Sequence, residues 1–333
     1  MKKKCVASAL IVAVILIGFW FMCSRVGHKE VTKSGFYFDT IIQITLYRGT
    51  MSNGTRSHGE EALLDDCFQM ADRYENYFST TKKNSDIAKI NAAGGKPVKV
   101  HSETRSLIKK GLEYGEKSDG KFDITIGRLS SLWDFSKNEG EVPAKDEIEK
   151  ALKTVNYKKV KIEGDRVVLE DPNAQLDLGG IAKGYIADQM KAYLVKNGVK
   201  QGIINLGGNV LTIGEKKDKE GYHIGIRKPF DETGATIAEV EVKDQTVVSS
   251  GVYERFFYKG NKLYHHLLDT KTGYPIENDL LGVTIICNRS VDGDALSTTA
   301  FALGLEDGMH YIESLDGVRA AFVTKDDQVH WTT

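Results

Sequence analysis

The stretch that most constrains the fold is residues 176–188, which read Leu-Asp-Leu-Gly-Gly-Ile-Ala-Lys-Gly-Tyr-Ile-Ala-Asp. A β-branched run at Val167–Leu169 precedes it, and apolar residues at helical spacing follow from Tyr185 to Leu194. This order predicts a strand, a glycine turn and then a helix. Glycines let backbone N–H groups come close to a bound anion, and the start of a helix adds partial positive charge. The turn is therefore a candidate anion site.

Lys183 adds a full positive charge at this turn, as phosphate binding would require. The spacing fits neither the P-loop, which needs Gly-Lys followed by Ser or Thr, nor the dinucleotide pattern G-x-G-x-x-G. A glycine turn before a helix is also a common structural feature, and Asp177 suits a turn or a helix cap. Phosphate binding and a purely structural turn both stay open on the residues alone.

Residues 1–27 have the composition of a signal peptide or a membrane anchor. Lysines at positions 2–4 precede an apolar run from Val6 to Met22, which predicts that the rest of the chain faces outside the cytoplasm. Lipidation at Cys23 is an alternative, but the bulky residues Trp20-Phe21-Met22 before it favour a retained anchor. We expect a linker at 28–35 and a folded domain over 36–333.

The charge balance argues against nucleic acid as a partner, because 45 Lys and Arg face 46 Asp and Glu and leave no basic excess. Two of the four cysteines, Cys5 and Cys23, lie in the leader. The others, Cys67 and Cys287, fall on a helical and a strand pattern without the spacing of a zinc site. We expect two buried thiols.

Strand and helix patterns alternate irregularly along the rest of the chain. Phe36–Tyr47 predicts a first strand, Glu60–Phe78 an amphipathic helix, and Ser85 the cap of the next helix. Without regular βαβ alternation we expect an α+β fold with mainly antiparallel sheets and packed helices, in two subdomains around a central cleft. Further patterns predict helices at Glu103–Ser118 and Pro143–Leu152, a hairpin over Tyr157–Leu169, strands at Gly202–Val210, Tyr222–Arg227 and Ala238–Val248, and a turn at Ser249–Gly251.

Two adjacent histidines lie in the stretch Tyr264–Pro275. Neighbours on a strand face opposite sides, so at most one of His265 and His266 can easily serve a given site. A histidine supplies the proton acceptor that chemistry near neutral pH requires, although a lone histidine is more often structural.

An acidic turn leads into a predicted helix at Asp292–Gly304. Asp294 and Thr298 are four residues apart, which places a carboxylate and a hydroxyl on one face of its first turns. Two oxygen donors there could ligate Mg²⁺, which prefers oxygen. A helix cap with a buried threonine is the alternative explanation.

Four stretches together resemble the FAD:protein FMN transferase family, the ApbE-like proteins, over residues 36–333. They are 176–188, 205–208, 264–275 and 294–298, and they occur in the family's order. The resemblance implies an exported or membrane-associated enzyme that cleaves the pyrophosphate of FAD, transfers FMN to a Ser or Thr of a redox partner protein, and releases AMP.

The resemblance also implies roles for individual residues. Mg²⁺ would be held by the Gly180 backbone carbonyl with Asp294 and Thr298, and Ser297 lies where some relatives have another carboxylate. His266 is the expected base for the acceptor hydroxyl, or else it only positions flavin or phosphate. The implied FAD contacts are Asp177, Lys183, His266 and the turn formed by Lys121, Phe122 and Asp123.

Two positions that flank the expected flavin and adenine pocket depart from the family's pattern. Phe38-Asp39-Thr40 stands where many relatives have Met-Gly-Thr, and Thr81 occupies a position that is often Tyr. We include Phe38 and Thr81 among the expected cofactor-binding residues.

Two other functions stay open. The same metal site would let water attack FAD and give FMN and AMP, or the chain would be a non-enzymatic flavin-binding protein tethered to the membrane. For the transferase we expect an acceptor flavoprotein of a membrane or extracytoplasmic redox system, and attachment to the outer face of the membrane through the N-terminus.

Overall fold

The computed structural model describes residues 30–47, 59–137, 140–216 and 219–333. The predicted anchor at 1–27 lies outside these residues, so it stays a prediction. Across the described ranges, no helix combines the length and the apolar character that crossing a membrane requires.

The described residues form eight α-helices, a short 3₁₀ turn at Tyr157–Lys159 and fifteen strands. The helices are α1 Glu60–Phe78, α2 Asp86–Ala92, α3 Ser102–Lys117, α4 Gly127–Trp133, α5 Lys145–Leu152, α6 Gly179–Lys196, α7 Ser290–Leu303 and α8 Leu305–Glu313. The strands are β1 Glu30–Tyr37, β2 Thr40–Tyr47, β3 Val98–Lys99, β4 Val160–Glu163, β5 Arg166–Leu169, β6 Gly202–Leu206, β7 Asn209–Ile213, β8 Tyr222–Arg227, β9 Thr236–Val242, β10 Thr246–Gly251, β11 Phe256–Lys259, β12 Lys262–His265, β13 Leu280–Cys287, β14 Arg319–Thr324 and β15 Val329–Trp331.

An eight-stranded sheet organises the fold, with the order β1-β2-β6-β7-β10-β13-β14-β15. Each neighbouring pair in it is antiparallel. A small sheet has the order β3-β5-β4, and β8–β9 and β11–β12 form separate pairs. The expected α+β fold with antiparallel sheets is confirmed.

The largest hydrophobic core lies between the main sheet and its helices, where residues such as Ile44, Leu64, Ile186 and Phe301 are fully or almost fully buried. Burying a side chain of this kind stabilises the fold by about 1.5–3 kcal/mol. The aliphatic positions that repeat at helical spacing therefore fix how the helices pack against the sheet.

A second hydrophobic cluster joins α4 and α5 to the β11–β12 region. It consists of Leu129, Trp133, Ile148, Ala151 and Leu268. The Trp133 ring stacks on Phe135 and Tyr264 at centroid distances of 5.5 and 5.8 Å, and its Nε1 donates to the Gly273 carbonyl at 2.9 Å. This cluster therefore holds the loop at residues 269–275.

The start of the domain differs from the prediction. The expected single strand Phe36–Tyr47 is the hairpin β1–β2, and residues 30–35 of the expected linker belong to β1. Phe38 and Asp39 form the turn with φ of 54° and 56°, a left-handed conformation that the sequence does not announce because neither residue is glycine. Polar residues of β1 suggested a linker because alternate side chains face solvent.

Two other segments that were predicted as single strands are each two strands joined by a turn. Ala238–Val248 is divided between β9 and β10, with Asp244 at a φ of 54° between them. The predicted turn at Ser249–Gly251 is the end of β10, and Gly202–Val210 folds into the β6–β7 hairpin around Gly207-Gly208.

Several local predictions are confirmed. Helix α1 has the predicted bounds, Ser85 accepts the Ala88 amide at 2.9 Å as the cap of α2, and the hairpin turning at Gly164-Asp165 is formed. Cys67 and Cys287 are buried free thiols, and burial raises the pKa of each to about 12.

Candidate functional site

The segment before α6 is fixed by side-chain and backbone contacts from distant parts of the chain. The Asn91 side chain pairs with both backbone groups of Leu176: its Oδ1 accepts from the amide at 2.7 Å, and its Nδ2 donates to the carbonyl at 2.9 Å. The Asp177 amide donates to Ile124 O at 2.8 Å. Asp177 Oδ1 accepts from the Gly179 amide at 2.8 Å, a turn contact two residues along the chain, while the N-cap residue of α6 is Leu178.

Helices α6 and α7 pack antiparallel along two matching faces, which we call the helix pair. On α6 the face consists of Gly180, Gly184 and Asp188, and on α7 it consists of Thr298, Asp294 and Ser290. Residues four apart lie above one another on a helix, so each set forms one row. The rows place three α6 residues opposite three α7 residues.

The middle of the helix pair is the closest approach. A Cβ added to Gly184 would lie 2.1 Å from the Ser290 carbonyl oxygen, so glycine is required there. The Gly184 amide donates to Asp294 Oδ2 at 2.8 Å. A backbone carbonyl oxygen has two lone pairs, so the Gly180 carbonyl can accept a partner in addition to a helical amide.

Three oxygen groups of different kinds, the Gly180 carbonyl, the Asp294 carboxylate and the Thr298 hydroxyl, lie along the helix pair. Asp294 is only 4% exposed, and its Oδ1 lies 3.6 Å from Lys183 Nζ. Thr298 Oγ1 lies 3.9 Å from the place of a Cβ on Gly180. A carbonyl, a carboxylate and a hydroxyl are ligands suited to Mg²⁺.

The described ranges contain no group of three or more His, Cys, Asp or Glu side chains arranged to hold a metal. The candidate oxygen set has a single carboxylate, Asp294, and its other members are a backbone carbonyl and a hydroxyl, so it is not a group of this kind. Ser297, adjacent in sequence, donates to the Asp294 carbonyl at 2.9 Å and lies 2.7 Å from Ser250 Oγ. This buried hydroxyl joins α7 to β10.

Lys183 projects from the first turn of α6 with about a third of its side chain exposed. Its Nζ donates to Gly179 O at 3.2 Å and faces Asp294. The ammonium therefore lies at the same helix end as the exposed glycines Gly179 and Gly180. The cation and the positive end of the helix dipole therefore meet here and favour an anion, while the Gly179 amide is already bonded to Asp177.

His266 follows β12, and its environment keeps the ring neutral. Its amide donates to Arg255 O at 3.1 Å, and its Nδ1 is buried without a hydrogen-bond partner in the described structure. Burial, and then the positive charges of Arg255 and Lys183, lower the pKa of His266 to about 3. A neutral imidazole can accept a proton.

His265 has a different environment, because the two rings diverge as expected of strand neighbours. It is 5% exposed, its Nε2 lies 3.1 Å from the Ile276 carbonyl, and its ring meets the edge of Phe301 on α7. Burial lowers its pKa to about 4. His265 is a core residue, and His266 is the one that faces the cations.

The turn at residues 121–123 lies next to the start of α6. The Phe122 ring is buried, and a Cβ on Gly180 would approach its Cε2 to 3.1 Å. Thr270 Oγ1 donates to Gly120 O at 2.7 Å, which joins this turn to the loop at 269–275. The structure therefore brings Lys121 and Phe122 to the same region as the helix pair.

Asp123 performs a structural task at this turn. Its Oδ1 accepts from the Thr125 amide and hydroxyl at 2.8 and 2.6 Å, and its Oδ2 accepts from the Tyr157 amide at 2.9 Å. Burial raises its pKa, although these hydrogen bonds oppose the shift. Its predicted contact with FAD stays a prediction.

Phe38 and Thr81 lie at the end of α1, in a region that we call the rim and define as Phe38, Glu75, Thr81 and Lys82. The Phe38 amide donates to Glu75 Oε1 at 2.7 Å, and Glu75 pairs with Lys82. Thr81 is exposed, and its Oγ1 lies 3.1 Å from Ser79 Oγ. The rim is held mainly by side chains that solvent reaches.

The stretch 205–208 touches the hairpin beside the rim. The Gly207 amide donates to Ile41 O at 3.1 Å, and a Cβ at Gly207 would lie 2.2 Å from Thr40 Oγ1. The positive φ of 60° and the lack of room for a Cβ both favour glycine at this position. Gly207-Gly208 thus forms the turn between β6 and β7, and this turn packs against β2.

Three residues with clear contacts at the site were not singled out from the sequence: Asn91, Asp188 and Arg255. The Arg255 carbonyl accepts the His266 amide at 3.1 Å. Asp188 accepts the Ser290 and Val291 amides at 2.8 and 3.0 Å. The sequence signal for Asp188 was its position four residues after Gly184, which places the two residues on the same face of α6.

Two surface cavities in the described structure can be compared with the site, and Asp188 lines one of them. One of about 530 Å³ is lined by Asp188, Lys191 and Asp244 among others, and one of about 280 Å³ by Leu132 and Glu147 among others. None of the predicted site residues lines either cavity. The candidate site is therefore defined by converging polar groups rather than by cavity volume.

The fold and the site together define an α+β protein in which a buried carboxylate and a lysine lie where two helices meet, with a neutral histidine on a neighbouring strand connection. The chain belongs to the ApbE family, whose model matches residues 38–322. The resemblance inferred from the four motifs is thereby confirmed.

Curated relatives and a solved structure agree with this assignment. The FAD:protein FMN transferase of Klebsiella pneumoniae (strain 342) is 38% identical over 81% of this chain and 84% of its own length. That of Treponema pallidum (strain Nichols) is 31% identical over 99% of this chain and 94% of its own. The crystal structure of the ApbE protein from Thermotoga maritima superposes with a TM-score of 0.82, at 32% identity, over 90% of this chain and 96% of that one.

Proposed function

We propose that this chain is an enzyme that transfers FMN from FAD to a Ser or Thr hydroxyl of a redox partner protein, with Mg²⁺ bound and AMP released. FMN transfer from FAD to a protein is the activity named for its curated relatives. The observation that supports it most is the helix pair, which sets Asp294 opposite the first turn of α6 beside Lys183.

Gly180, Asp294 and Thr298 would hold the metal ion. Asp294 is almost fully buried and has one oxygen committed to the Gly184 amide, which fixes the direction of the other. Bound Mg²⁺ would supply charge neutralisation for a pyrophosphate. The donor set fits a hard cation, because each member is an oxygen.

Lys183 and Arg255 would bind phosphate oxygens of FAD. Both charges lower the pKa of His266, so a pyrophosphate between them would offset that effect and make the imidazole a stronger base. We assign the flavin and adenine contacts to Phe38, Thr81, Lys121, Phe122, Asp123 and Asp177, in a cleft between two subdomains.

The transfer is a substitution at phosphorus. The acceptor oxygen forms a bond to the phosphorus of the FMN half, the bond from that phosphorus to the bridging oxygen breaks, and AMP leaves with the electron pair. His266 takes the proton from the acceptor hydroxyl. The nucleophile belongs to the partner, so no covalent intermediate on this chain is required.

We further propose that residues 1–27 tether the chain to a membrane as a signal anchor, or through lipid on Cys23, with the catalytic domain on the extracytoplasmic face. The acceptor would then be a flavoprotein of a membrane or extracytoplasmic redox system. The basis is the lysine-led apolar run at the N-terminus.

The test is mass spectrometry of a candidate acceptor after incubation with the full chain, FAD and Mg²⁺. Wild type should add the mass of one FMN, and Asp294→Ala should reduce the labelling rate by at least about 100-fold. Asp307→Ala is the matched control, because it removes an exposed carboxylate from the next helix, α8, and should label normally.

Other outcomes would support other functions. Free FMN and AMP without labelling, across several acceptors, would indicate an FAD pyrophosphatase. FAD retained in a one-to-one complex without turnover would indicate a flavin-binding protein.

A further inference from the structure

The N-terminus of α7 is capped by a side chain from α6. Helix α7 begins at Ser290, and its N-cap residue Arg289 makes no side-chain capping bond. Asp188 supplies the acceptors instead: its Oδ1 takes the Ser290 amide at 2.8 Å and its Oδ2 takes the Val291 amide at 3.0 Å. A carboxylate at a helix N-terminus satisfies free amides and interacts favourably with the helix dipole.

This cap lies at a fixed distance from the candidate ligands on both helices. Asp188 is eight residues after Gly180, and Ser290 is eight residues before Thr298. Eight residues make slightly more than two helical turns, about 12 Å at 1.5 Å per residue. Once the cap is formed, Thr298 must therefore lie opposite Gly180.

Besides the backbone packing of Ser290 on Gly184, the other contacts of the Ser290 side chain do not involve α6. The Ser290 hydroxyl bonds to Asn209 Oδ1 and lies 3.0 Å from Thr246 Oγ1, and both partners belong to the main sheet. They hold α7 to the sheet. Along the helix pair, the side-chain bonds that join α6 to α7 are those of Asp188 and of Asp294.

We propose that Asp188 is a positioning residue for the divalent-cation site. By capping α7 from α6 it fixes the register of the two helices, and with it the distance between the Gly180 carbonyl and the oxygens of Asp294 and Thr298. This inference rests on the proposed function, because it concerns the metal ligands named there.

The test uses the full chain and Mn²⁺ alone as a probe, without FAD, with the free ion followed by electron paramagnetic resonance. Asp188→Asn keeps the size of the side chain but replaces one acceptor oxygen with a donor. Its Mn²⁺ affinity should fall by about 10- to 100-fold, as when residues that orient metal ligands are changed. Circular dichroism should stay that of the wild type.

Asp86→Asn is the matched control. Like the half-buried Asp188, the buried Asp86 accepts hydrogen bonds at the start of a neighbouring helix, since its Oδ2 accepts the His101 amide at 2.9 Å and the Thr104 hydroxyl at 2.7 Å. This variant should lower the urea midpoint and leave Mn²⁺ affinity unchanged. A merely structural role for Asp188 would make the two variants behave alike, which would overturn the proposal.

The remaining outcomes are equally decisive. Mn²⁺ affinity of Asp188→Asn within about threefold of wild type overturns the positioning role while leaving the proposed function intact. No Mn²⁺ binding by the wild type overturns the metal site itself and this inference with it. If Asp188→Asn does not fold, Asp188→Ser, whose hydroxyl still accepts one amide, should bind with intermediate affinity, and wild-type affinity would overturn the proposal.

Discussion

The helix pair is predicted to hold Mg²⁺ and the rim to contact FAD, and the two regions are built in different ways. The helix pair is joined by buried contacts to backbone amides, such as that of Gly184 to Asp294. The rim depends on one backbone bond to Glu75 and on side chains that solvent reaches. A buried contact between backbones cannot adjust, whereas an exposed side chain can choose among rotamers. We expect changes in the helix pair to affect turnover and changes in the rim to affect the KM for FAD.

The largest effect should come from Gly184→Ala. The added Cβ would meet the Ser290 backbone, so the helices must separate, which should cost about 3 kcal/mol of the free energy of unfolding and lower the FMN transfer rate by at least about 100-fold. Urea unfolding and initial rates measure both. Gly59→Ala, where a Cβ meets nothing within 4 Å, should leave the transfer rate unchanged. A normal transfer rate in Gly184→Ala would show that the contact can relax.

The next effect is acid sensitivity arising from His265, whose ring packs against Phe301 of α7. Its pKa is about 4 in the fold against an ordinary value of 6.5, so the unfolded chain binds the proton more readily between these values. Stability from this residue is present above pH 6.5 and is lost as the pH falls toward 4. From pH 7.5 to 5.0 the loss should be about 2 kcal/mol.

Urea unfolding of wild type and His265→Gln at both pH values measures that contribution. The glutamine can donate to the Ile276 carbonyl but does not titrate, so the variant should lose less stability on acidification than the wild type. Equal losses would show that the acid sensitivity comes from elsewhere in the chain.

A smaller effect should follow Glu75→Gln in the rim. The change weakens the acceptor for the Phe38 amide and removes the ion pair with Lys82, so the KM for FAD should rise about 3- to 10-fold while kcat stays within about twofold. Asp72→Asn is the control, because Asp72 lies 3.6 Å from Lys82 without contacting Phe38. A fall in kcat without a change in KM would contradict the expectation that the rim acts on FAD binding and the helix pair on turnover.

The smallest effect should be a gain. Thr81→Tyr would add an aromatic ring to the rim, and stacking on a flat ring of FAD should lower the FAD dissociation constant about threefold. Quenching of flavin fluorescence measures it. Thr80→Tyr, at the exposed neighbouring position, should have no effect. An unchanged dissociation constant in Thr81→Tyr would place FAD elsewhere.

Local periodicity predicted much of this structure. The bounds of α1 and the shared face of Asp294 and Thr298 follow from helical spacing, because positions four apart in a helix are neighbours whatever surrounds them. The glycines of 176–188 similarly marked the start of α6. These features depend on residues close together in the sequence.

The contacts that assemble the site could not be predicted in the same way. Asn91 pairs with Leu176, 85 residues away, and Asp188 pairs with Ser290, 102 residues away. One sequence carries no pattern that links such positions, since their meeting depends on how whole helices pack. The left-handed turn at Phe38 and Asp39 was also hidden, because aspartate tolerates a positive φ but phenylalanine ordinarily avoids it.

The hydrogen bond from Trp133 to the Gly273 carbonyl gives the protein an internal optical reporter. The chain has three tryptophans, of which Trp133 is fully buried and Trp331 is 38% exposed. Buried and solvated indoles emit at different wavelengths, so a shift in the buried component would follow movement of the 269–275 loop. That loop follows His265 and His266 closely in the sequence. Tryptophan emission can therefore follow structural changes near the site without an added dye.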